Sequence, residues 1–89
     1  MSETRENRLK RMTMRSKRRG IKEMDIILGR FSDEALAGLD EATLDLYDAL
    51  LSENDQDLYQ WVSGQMAPPA RFETLMARIT AHAIEAAAR

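Results

Sequence analysis

The run Arg18-Arg19-Gly20-Ile21-Lys22-Glu23-Met24-Asp25 sets three cations and two carboxylates around one glycine. Nothing in it makes or breaks bonds. Its chemistry is recognition: a tight corner carrying fixed opposite charges loses little entropy when a partner binds it. The same residues also read as a helix junction. Arg18 and Arg19 suit the negative C-terminal end of one helix. Gly20 supplies a left-handed residue to end that helix. If Gly20 caps the next helix, Glu23 falls at its third position and satisfies a free backbone N–H. The residues alone leave recognition and junction evenly balanced.

Other candidate sites are weaker. Glu53, Asp55 and Asp57 alternate like the start of a calcium loop, but the required glycine and closing glutamate are missing. They read instead as acids that cap a helix and favour its positive end. The single histidine, His82, lies in an Ala-rich stretch, and there is no G-x-S-x-G motif for a nucleophile. With no cysteine, thiolate chemistry and disulfides are absent. No catalytic residue and no metal ligand is expected, and the chain is read as a non-enzyme.

Eighty-nine residues fit one domain with one modest core. Residues 1–30 hold ten Lys/Arg against four acids, and residues 31–89 hold three against eleven. That asymmetry reads either as a steered partner surface or as two halves that attract each other. A nucleic-acid arm is a poorer fit, because no aromatic precedes Phe31 to stack bases and the remainder is acidic. No apolar run is long enough to span a membrane. The start Met1-Ser2-Glu3-Thr4 has no apolar core, and Glu3 and Glu6 argue against a mitochondrial leader. A soluble, cytoplasmic protein is expected.

These residues must be positioned by helices, since no segment alternates with a period of two. An all-α, compact five-helix bundle is expected as a single domain over residues 1–89, with 1–7 and 84–89 as frayed ends. The first helix covers 4–18, with Leu9 and Met12 on its apolar side. The second covers 21–38, with Ile21, Met24, Leu28 and Phe31 in one stripe and Gly29 marking close packing or a bend. Asp40 caps the third, whose main stripe is Leu46, Ala49 and Leu50, broadened by Leu44, Tyr47 and Leu51. Asp55 caps a short fourth helix with Leu58, Trp61 and Val62 inward, and Gly64 ends it. Pro68-Pro69 breaks the chain before the last helix, 70–88, whose face is Phe72, Leu75, Met76, Ile79 and Ala83.

Arg19, Gly20 and Glu23, as R-G-x-x-E, resemble the signature of the succinate dehydrogenase assembly factors that support flavinylation. Arg18, Asp25 and the continuation Leu28-Gly29-Arg30-Phe31 extend the resemblance. So does the second segment, Leu50-Leu51 followed by Asp57-Leu58-Tyr59-Gln60-Trp61-Val62. The likeness covers about residues 8–80. It implies a small five-helix factor that binds the flavoprotein subunit of succinate dehydrogenase, and in some bacteria that of fumarate reductase. Such factors promote the bond between FAD and a histidine of that subunit. The resemblance implies that Arg18, Arg19, Gly20, Glu23 and Asp25 face the partner and that FAD belongs to the partner. The chain would act as a monomer, without nucleic acid. The alternatives are a basic helical module that binds nucleic acid, or an antitoxin-like regulator.

Overall fold

Apolar residues recurring every three to four positions build five α-helices: α1 (Arg5–Ser16), α2 (Lys22–Glu34), α3 (Glu41–Leu50), α4 (Asp55–Val62) and α5 (Glu73–Ala87). Two short 3₁₀ turns, Leu36–Gly38 and Ala70–Phe72, replace the end expected for the second helix and the start expected for the fifth. The computed structural model describes residues 3–89. The fraying expected at the extreme N-terminus therefore lies partly outside the described residues. At the other end, α5 stays helical to Ala87, and Arg89 bonds the Glu34 carboxylate of α2.

The caps follow local chemistry. Thr4 and Asp40 accept from the backbone N–H groups three residues on and start α1 and α3. Gly64, at φ +82°, turns the chain after α4, a conformation that favours glycine. The apolar faces meet in one core of Met12, Met24, Leu28, Phe31, Leu58 and Ile79 with their neighbours. Gly29 is buried there because α1 passes close by: a Cβ at Gly29 would lie 3.2 Å from the Lys17 stem. In α3 the expected stripe is rotated. Leu44, Tyr47, Leu50 and Leu51 are buried, while Leu46 and Ala49 are only partly covered. With apolar residues on several sides of α3, its own pattern does not select the inward face.

Tyr47 fixes that face. Its hydroxyl lies 2.6 Å from Ser16 Oγ, which donates to Met12 O at 2.7 Å, so α1 and α3 share a buried polar link. The Tyr47 ring stacks on Phe31 with centroids 5.7 Å apart. Burial pushes the Tyr47 hydroxyl up to about 12 from its ordinary 10. A phenol whose pKa is raised by folding adds stability that is full below the unfolded value and is lost as pH rises through the folded one. Urea melts should therefore show roughly 2 kcal/mol lost between about pH 10 and pH 12, and Tyr47→Phe should remove that part of the slope.

The charge asymmetry is spent largely inside the molecule. Arg5 and Arg8 of α1 pair with Glu41, and Arg8 also reaches Asp45 at 2.5 Å. Arg11 and Arg15 share Asp48 at 3.2 and 3.1 Å. The Asp48 carboxyl is held below the usual carboxylate range, first by the hydrogen bond from Arg11. Spacings of three and four residues place the arginines on one side of α1 and the acids on one side of α3. Each exposed pair is worth at most about 1 kcal/mol, but together they fix the register of the two helices.

Candidate functional site

Between α1 and α2 the chain turns through residues 17–21, and the Arg-Gly pair sits there. Arg19 points inward with its side chain only 8% exposed. Its Nε donates to Asp55 Oδ1 at 2.7 Å, Nη1 to Leu51 O at 2.8 Å and Nη2 to Glu53 O at 3.1 Å. The guanidinium thus ties this corner to the turn between α3 and α4. Two backbone donors complete the knot: Arg19 N–H bonds the Asp25 carboxylate, and Gly20 N–H donates to Asp55 Oδ2 at 2.5 Å.

Three expectations are corrected here. Gly20 is not left-handed, since among the described residues Gly64 alone has a positive φ. Position 20 is tight instead: an added Cβ would meet Asp55 Oδ2 at 3.0 Å, so the carboxylate would have to give by a few tenths of an ångström. Asp55 does not cap α4. Asn54 does, accepting from Gln56 N–H at 2.8 Å, and this leaves the Asp55 carboxylate for the corner. Ile21, with no side-chain cap, precedes α2, so Glu23 forms no capping box with Gly20. Gly20→Ala should therefore cost about 1–2 kcal/mol by displacing a pinned carboxylate. Thermal melts check this, and the loss should be less than additive with loss of Asp55 itself.

The expected site residues divide into two layers. Arg19 and Asp25 use their polar groups inside the chain, with Gly20 between them. Arg18 and Glu23 are exposed, and neither makes an ion pair among the described residues. Asp55 was missed as a member of this corner. The signal was available in Asn54, an equally good cap one residue earlier. Trp61, expected in the core, is only half-buried, tilted against Phe72 with centroids 6.0 Å apart. His82 is half-buried on α5, with Nε2 2.9 Å from Glu34 Oε1 and its ring edge-on to Phe31, so it helps dock α5 on α2. Among the described residues no cluster of acids, histidines or cysteines could hold a metal ion, and no helix is long and apolar enough to cross a membrane.

The described residues thus form a small all-helical domain that locks a corner from within and leaves Arg18 and Glu23 exposed outside it. The chain belongs to the family described as flavinator of succinate dehydrogenase, whose model matches residues 10–83. It is 44% identical over 61 residues to the mitochondrial succinate dehydrogenase assembly factor 2 of Meyerozyma guilliermondii, covering 68% of this chain and 45% of that one. It is 35% identical over 72 residues to the protein of that name from Schizosaccharomyces pombe, covering 81% of this chain and 52% of that one. It is 33% identical over 73 residues to that of Dictyostelium discoideum, covering 82% and 52%. The chain thus spans about half the length, or less, of these curated relatives. Their names place them in mitochondria, which overturns the cytoplasmic placement expected above. The acids near the N-terminus bear only on a leader, whereas the likeness lies in the folded domain, residues 10–83.

Proposed function

We propose that the chain binds the flavoprotein subunit of succinate dehydrogenase and promotes covalent attachment of FAD to it, as a binding partner and not as the catalyst. The observation that carries this reading is the free Glu23 carboxylate. Among the described residues it is exposed and makes no ion pair, beside a corner whose own polar groups are hydrogen-bonded. A charge not needed for folding and held on a rigid frame is what a recognition surface requires. Arg18 and Glu23 make the contact, while Arg19, Gly20 and Asp25, together with Asp55, hold its shape. Tighter binding to the flavoprotein arrangement in which histidine and flavin are poised would raise the population of that arrangement. FAD stays with the flavoprotein. The clefts on the described surface are open and shallow, which supports this assignment. The factor acts as a monomer, and the fumarate reductase subunit is a second client of the same surface.

A nucleic-acid role is disfavoured by the arginines of α1, which already neutralise Glu41, Asp45 and Asp48. The direct test mixes the full chain with each purified flavoprotein subunit and, separately, with duplex DNA and RNA across a salt series. A one-to-one complex with a flavoprotein and no shift of nucleic acid is expected. The reverse pattern would replace this reading with the nucleic-acid one.

A further inference from the structure

Immediately beyond the corner, α2 and α4 leave a groove of about 370 Å³ lined by Glu23, Ile26, Ile27, Tyr59, Val62 and Ser63. Asp55 fixes one end of α4 to Gly20, and Tyr59 and Val62 lie one and two turns further along that helix. The groove is therefore continuous with the corner. Its floor is apolar, and Ile26 is 43% exposed. Among the described residues Glu23 is its one charged lining residue, and no cation pairs with it.

We infer that this groove takes a basic side chain, an arginine or lysine, presented by the flavoprotein. This rests on the function proposed above and names the chemistry of the contact. Charge complementarity selects the occupant, because an apolar side chain would bury the Glu23 carboxylate beside it without a partner. A long basic side chain suits both parts: its methylenes cover Ile26 and Val62 while its cation reaches Glu23. The Tyr59 ring adds an aromatic wall that attracts a cation.

The test measures the affinity of the full chain for the purified flavoprotein subunit, made in cells lacking the factor, by calorimetry across a salt series. Ile26→Ser, Glu23→Gln and the double variant are compared, with thermal melts confirming that each is folded. Each single change should weaken binding about tenfold, and the double change should weaken it by less than the product of the two. Glu23→Gln should also flatten the salt dependence, whereas Ile26→Ser should leave its slope unchanged. Tight binding by the unmodified chain with no loss in folded Ile26→Ser would overturn the groove and leave the proposed function standing. Loss in Ile26→Ser with none in Glu23→Gln would overturn the basic occupant in favour of an apolar one. No binding by the unmodified chain would remove both readings.

Discussion

Asp55→Ala should lower the melting temperature by about 10–25 °C, the largest stability loss expected from any polar substitution in this chain. The change strands the Arg19 guanidinium, which is 8% exposed, by removing its carboxylate partner. Breaking a buried pair from one side costs about 3–5 kcal/mol. The carbonyls of Leu51 and Glu53 remain to hold the guanidinium, so roughly 2–4 kcal/mol is the fitting range. The Gly20 N–H loses its acceptor in the same step. Asp55→Asn keeps an acceptor oxygen and should cost less. Substitutions at the exposed Arg5–Glu41 pair should cost under about 1 kcal/mol. Equal effects at both places would mean that the corner is not the internal lock described here.

Glu23→Lys should do the opposite. Among the described residues the carboxylate makes no hydrogen bond or ion pair, so stability should stay within about 0.5 kcal/mol of the unmodified protein. Affinity for the flavoprotein should fall at least about thirtyfold, since reversing one charge of a close interface pair costs some 2 kcal/mol or more. A carboxylate acting only through the α2 dipole would give a different pattern, with a small loss of stability and unchanged affinity. The two substitutions thus separate the inner layer of the motif from the outer one.

Local grammar was the part of this structure legible in the sequence. Asp40 as a cap, Gly64 as a left-handed stop and the faces of α2 and α5 each follow from residues within one or two turns. What failed depends on distant residues. Arg19 meets Asp55 across 36 positions, and nothing near Gly20 shows that a carboxylate will press against it. The alternation of acids from Glu53 to Asp57 read as caps because the competing use of Asp55 lay in another element. The basic first third read first as a partner surface and only second as a paired one, and the register of α1 on α3 decides for pairing. The corner was legible as a motif; its division between Arg19 and Asp25 inside and Arg18 and Glu23 outside was not.

Covalent flavin on the flavoprotein subunit is the direct readout of the proposed role. The subunit is made in cells that lack the factor, in cells that supply it and in cells that supply Glu23→Lys. It is then denatured and read by in-gel flavin fluorescence, with subunit amount, FAD and dicarboxylate supply matched. A bright band is expected only with the unmodified factor. Bands of equal brightness in all three would contradict it.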